Sequence, residues 1–74
     1  MKKTVFRSIE APGGTICVDI YRKPEGDWGY ACYRRDPEDD RGWHPDGPMA
    51  EGFADEAGAL DAALKDLPWL ADQI

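Results

Sequence analysis

In the stretch TICVDIY, residues 15–21, Ile16, Val18 and Ile20 alternate with Cys17, Asp19 and Tyr21. A period of two places the first three on one face of an extended strand and the other three on the opposite face. Turn chemistry brackets this strand on both sides: Pro12, Gly13 and Gly14 precede it, and Pro24 and Gly26 follow it. Upstream, TVFRSI is rich in β-branched and aromatic residues, and downstream WGYACYRR resumes with aromatics at 28, 30 and 33. The pattern predicts a three-stranded antiparallel meander with strands at about 4–9, 15–22 and 28–35. Trp28, Tyr30 and Cys32 have one parity, Ala31 and Tyr33 the other. Whichever set joins Ile16, Val18 and Ile20, the remainder leaves aromatic surface on the second face.

The period changes after Asp55. Ala57, Leu60, Ala63, Leu64 and Leu67 recur at spacings of three and four, the stripe of an amphipathic helix over about 55–67. Asp55 is suited to accept hydrogen bonds from the first free amides, and Glu56 suits the positive end of the helix dipole. Phe53 is placed to pack back onto the first turn, and Pro68 ends the helix. Trp69, Leu70 and Ile74 then form a short apolar tail over 68–74, expected to fold over the sheet edge. The fold class that follows is α+β: a three-stranded meander, four-stranded if part of the segment 36–52 pairs, with one C-terminal helix packed on one face.

A chain of 74 residues is one domain with a small core. Surface-to-volume scaling lets it bury only about 60% of the surface its unfolded form exposes. Self-association would help such a scaffold, so a homodimer is one expectation. The N-terminal MKKTVFRSIE has no apolar run of signal-peptide length, and no stretch approaches the ~20 apolar residues of a membrane helix. The expectation is a cytoplasmic protein with no membrane partner. Cys17 and Cys32 lie in apolar β-like segments without metal-binding spacing, and are expected as half-buried reduced thiols.

Charge is unevenly distributed. Residues 1–35 hold seven basic against four acidic side chains, and residues 36–74 hold two basic against eleven acidic. The first half is therefore plus three and the second minus nine, which together make the net charge of −6. The helix and the segment before it are expected to present a negative surface.

That segment, 36–52, reads as a long polar loop, and loops of such length are functional or mobile. It carries Asp36, Glu38, Asp39, Asp40 and Asp46, with Arg41, Trp43 and the sole histidine, His44. Counted as a calcium loop from Asp36, it has Arg41 where the glycine belongs and Gly47 where the bidentate glutamate belongs, so no metal is expected. Neither Ser8 nor a cysteine is tied to His44 by a nucleophile motif, and no Gly-rich phosphate loop opens a helix. A non-catalytic protein without cofactors is the expectation. Trp43 is expected to fold back over the small core, with anchoring of a partner as its other role.

Two resemblances bear on function. The sheet followed by GFADEAGALDAAL resembles, loosely over Trp28–Leu64, the arm-type DNA-binding domains of phage integrases. That likeness implies DNA contact by a basic sheet, with Arg7, Arg22, Lys23, Arg34 and Arg35 as the contributors. In size and charge the chain also resembles the small acidic phage inhibitors such as anti-CRISPR proteins. That second likeness implies an inhibitor of a nucleic-acid-handling complex that offers carboxylates to a basic groove. The contact residues it designates are Asp36, Glu38, Asp39, Asp40, Arg41 and Trp43, with Asp55, Asp61 and Asp66 along the helix. The partner implied is a basic nucleic-acid-binding protein, contacted without direct binding of nucleic acid.

Overall fold

The computed structural model describes residues 3–36, 38 and 42–74. Four strands, β1 (Thr4–Glu10), β2 (Ile16–Arg22), β3 (Trp28–Arg34) and β4 (His44–Phe53), form one antiparallel sheet in chain order. Helix α1 (Glu56–Asp66) and a 3-10 helix (Leu70–Gln73) follow. The α+β architecture and the three expected strands stand, and the four-stranded alternative is the one realised. No helix of the described residues is long and apolar enough to cross a membrane.

Tight turns connect the first three strands. The Ala11 amide donates to the Ile16 carbonyl at 2.8 Å, and the Lys23 amide donates to the Asp27 carbonyl at 2.8 Å. Cross-strand neighbours Val18–Cys32 and Ile20–Tyr30 settle the parity question: Tyr30 and Cys32 share the face of the β2 aliphatics. That face packs on α1, and Val18, Ile20, Tyr30, Cys32, Ala59, Ala63, Leu67 and Leu70 are its buried core. Alanines at 59 and 63 let the helix axis approach the bulky Tyr30 closely.

The helical stripe stands in part: Ala63 and Leu67 are buried as expected, but at the N-terminal end the contact passes to Ala59. Ala57 is exposed, Ala59 is fully buried, and Leu60 and Leu64 flank the contact half-buried. The apolar stripe was wide enough to be centred on either row, and the volume of Tyr30 selects the row of small residues. Asp55 caps α1 as expected, accepting from the Gly58 amide at 2.7 Å. The tail divides. Leu70 is fully buried and the 3-10 helix rests against β1, whereas Ile74 is 56% exposed.

The expected polar loop 36–52 is overturned over most of its length, because residues 44–53 pair with β3 as β4. Pro45 and Pro48 are tolerated because β4 is an edge strand whose outer amides need no partner. The pairing is interrupted twice, between Trp28 and Gly29 and between Ala31 and Tyr33 on the β3 side. At the second interruption Gly47 adopts a φ of +111° beside the Cys32 side chain, a conformation that L side chains rarely adopt. β1 carries its own irregularity between Val5 and Arg7, where the Phe6 ring lies 4.6 Å from that of Trp28.

Candidate functional site: the uncovered face of the sheet

The face away from α1 is formed by Ser8 and Glu10 of β1, Cys17, Asp19 and Tyr21 of β2, Ala31 and Tyr33 of β3, and Met49 and Glu51 of β4. No secondary-structure element among the described residues packs across it, yet Cys17, Tyr21 and Ala31 are buried. Their cover is local. Tyr21 is paired with Gly29, which is paired in turn with Glu51. Its ring therefore crosses the space a side chain at 29 would fill, and its hydroxyl donates to the Glu51 carboxylate. Above the same ring sits the Lys3 ammonium, 4.2 Å from the centroid, and it donates to the Tyr33 hydroxyl at 3.0 Å. Desolvated aromatic faces attract cations in this way, so an otherwise bare aromatic is both capped and held.

Two hollows flank Tyr33. One, of about 340 Å³, is lined by Ser8, Glu10, Cys17, Asp19, Tyr33 and Trp43. The other, of about 470 Å³, is bordered by Lys3, Ala31, Tyr33, Pro45, Asp46 and Met49, among others, and Met49 is 60% exposed. At the first, the Ser8 hydroxyl donates to Asp19 at 2.7 Å. Arg35 stands at its rim, donating to the Gly14 carbonyl at 2.8 Å with its guanidinium carbon 4.9 Å from the Trp43 ring centroid.

Trp43 departs from expectation. It is 37% exposed and lies outside the core cluster, because Trp28, Phe53 and Trp69 already pack around the core and Arg35 draws its ring to the other face. The remaining expected contact residues are scattered. Asp36 and Glu38 are exposed, with the Glu38 amide donating to the Asp36 carboxylate at 3.0 Å. Asp39, Asp40 and Arg41 lie outside the described residues. Asp61 is exposed on α1, whereas Asp55 is engaged as the cap and Asp66 accepts from the Tyr30 hydroxyl. Glu10, Asp19 and Tyr33 were not singled out from sequence. Alternation does place Asp19 opposite the aliphatics, but only the strand register joins it to Ser8, Glu10 and Tyr33.

The expected separation of charge along the chain does not persist in space. Arg7 pairs with Glu56 at 3.7 Å, Lys23 with Glu51 at 3.2 Å and Arg34 with Asp46 at 3.9 Å, each joining the basic half to the acidic half. Cys17 and Cys32 lie on opposite faces of the sheet and are both free thiols. They are buried more fully than the half-buried state expected of them.

Burial and then the neighbouring Glu51 acceptor push the Tyr21 hydroxyl far above its ordinary value. Burial and Asp66 raise Tyr30 to about 12, and burial raises the Cys32 thiol to about 11. Burial, followed by the charge of Asp19, also raises Cys17. Each of these groups is held neutral in the folded state. Their stabilisation is complete below the unfolded values of 9.0 for the thiols and 10.0 for the tyrosines, and is lost as pH rises past them. The melting temperature is therefore expected to fall from about pH 9 upward, and Cys32→Ser to make the fall between pH 9 and 10 shallower, with Cys17 still contributing from pH 9. A thermal melt series from pH 7 to 11 checks this. On the acid side, the Tyr21 hydroxyl and then Lys23 lower the Glu51 carboxyl, so its contribution is present above the ordinary 4.5 and fades below it.

Compared with protein families, curated proteins and solved structures, the chain matches none of them.

Proposed function

We propose that this chain is a non-catalytic acidic binding protein that occupies a basic surface on a protein partner. Its most concrete form is an inhibitor of a nucleic-acid-handling complex, of the kind that anti-CRISPR proteins exemplify. The observation that carries this reading is the fate of the cations. Of the five that a DNA-contacting sheet would use, Arg7, Lys23 and Arg34 are paired with the protein's own carboxylates, and Arg35 is engaged by Trp43 and the Gly14 carbonyl. Phosphate binding needs cations free to replace condensed counterions, so this arrangement weighs against the sheet-mediated DNA module. Asp36, Glu38 and Asp61 are exposed, and among the described residues no cation lies within salt-bridge distance of them or of Glu10 and Asp19. Exposed carboxylates left without a cation of the protein's own are available to a basic groove, as phosphates are.

The test is affinity capture from a nuclease-treated bacterial lysate at low and moderate salt. Wild type is compared with a variant in which Asp36, Glu38, Asp39 and Asp40 become Asn or Gln. Wild type is expected to retain a basic nucleic-acid-binding protein, with recovery reduced roughly tenfold in the variant. Equal recovery by both, or direct binding of duplex DNA with a steep salt dependence, would overturn the reading.

A further inference from the structure

We infer that the hollow beside Tyr33 and Trp43 is a receptor site for a guanidinium group, supplied by an arginine side chain of the partner. Such a site rests on the acidic binding reading above and narrows it to one place on the molecule. It is a cavity of about 340 Å³ with two kinds of wall. Tyr33 and Trp43 supply aromatic surface, and Glu10 and Asp19 supply carboxylates. Strand register makes this convergence obligatory. Ser8 is paired with Asp19, Glu10 with Cys17, and Cys17 with Tyr33, so five of the six lining side chains project from adjacent positions of three strands onto one face.

A planar guanidinium is the group that both walls fit. Its fork of N–H donors matches carboxylate oxygens, while its face stacks on aromatic rings. The protein shows the same preference internally. Arg35 stacks on Trp43, and Lys3 lies over Tyr21 and 5.7 Å from the centroid of Tyr33, so both aromatic types on this face already accept cations. Arg35 is anchored to the Gly14 carbonyl, and among the described residues it is not within salt-bridge distance of Glu10 or Asp19, so both carboxylates are left to an incoming cation. The Ser8 hydroxyl holds Asp19, which fixes one acceptor in place. The floor is the thiol of Cys17, 5% exposed and held protonated by burial, so the base of the cavity carries no charge of its own. A second copy of this chain is the poorer occupant, since each copy carries a net charge of −6.

The test is a nuclear magnetic resonance titration of the whole chain with N-acetyl-arginine methylamide. The citrulline analogue, which is nearly isosteric but uncharged, is the control. Saturable shifts are expected at the Trp43 indole N–H and at Ser8, Asp19 and Tyr33, with no response to citrulline. Glu10→Gln with Asp19→Asn should weaken the arginine response roughly tenfold. Both substitutions retain hydrogen-bond acceptors at the surface, and an unchanged melting temperature confirms folding. A second variant, Trp43→Ala, removes a wall without touching a charge and is expected to weaken binding severalfold. Shifts that spread unsaturably over all acidic positions, or equal responses from wild type and both variants, would overturn the site, even where affinity capture retrieves a basic partner. Conversely, saturable Asp19-dependent shifts would uphold the site where capture fails.

Discussion

Gly29→Ala should destabilise the protein by about 3 kcal/mol, the upper end of what overpacking a strand usually costs. In most strands the same substitution is mildly favourable, because glycine loses more backbone freedom on folding and offers nothing to pack. Here the sign reverses for a steric reason. A Cβ on Gly29 would stand 2.7 Å from the Ala50 carbonyl oxygen, 2.9 Å from Cγ of Glu51 and 3.0 Å from Cζ of Tyr21. The first obstacle is backbone and cannot rotate away. Relief of that contact requires β4 to move off β3, whereas Tyr21 leaving its place would relieve only the third contact and would break its bond to Glu51. A chain of this size has only roughly 4–11 kcal/mol of stability in total. The melting temperature should accordingly fall by more than ~10 °C. A double-mutant cycle with Tyr21→Ala discriminates the cause: if the ring is the obstruction, the two losses will be markedly less than additive. Additive losses would place the strain wholly in the β4 backbone.

The second large effect is expected at Leu70, close to the C-terminal end of the chain. Leu70→Ala should cost about 3 kcal/mol, in the range for emptying a fully buried leucine site. Leu70 is fully buried and belongs to the cluster of Val18, Ile20, Tyr30 and Leu67. The same truncation at Ile74, 56% exposed, should change stability by less than ~0.5 kcal/mol. Denaturant unfolding of both variants measures the contrast directly. A small effect at Leu70 would mean that the 3-10 helix is detached in solution and that the core closes without it.

These two residues also show what was legible in the amino-acid sequence. The alternation of Ile16, Val18 and Ile20, the bracketing turns and the Asp55 cap are local signals, and each led to the element observed. β4 carries no such signal. Its prolines and glycines are loop chemistry by composition, and its tolerance as a strand depends on lying at an edge, a property of the assembled sheet. Gly29 sits among Trp28, Tyr30 and Tyr33, and a lone glycine in a heavy strand does mark close approach. What approaches it is decided by register across three strands, which no local pattern contains. The candidate site divides in the same way. Charge counting identified an acidic half, but three ion pairs fold that half onto the basic one. The carboxylates that share a cavity with aromatic rings, Glu10 and Asp19, belong to the half that counts as basic.

The interruptions of β1 and β4 bear on behaviour at high concentration. An open four-stranded sheet has two rims, and a rim with regular unpaired amides invites strands from other molecules to add and propagate. One rim here contains Pro45 and Pro48 with pairing broken twice, and the other is kinked between Val5 and Arg7. Neither offers the straight run of donors and acceptors that fibril growth copies. Edgewise addition of a strand, from another copy or from a different chain, is thereby disfavoured at both rims.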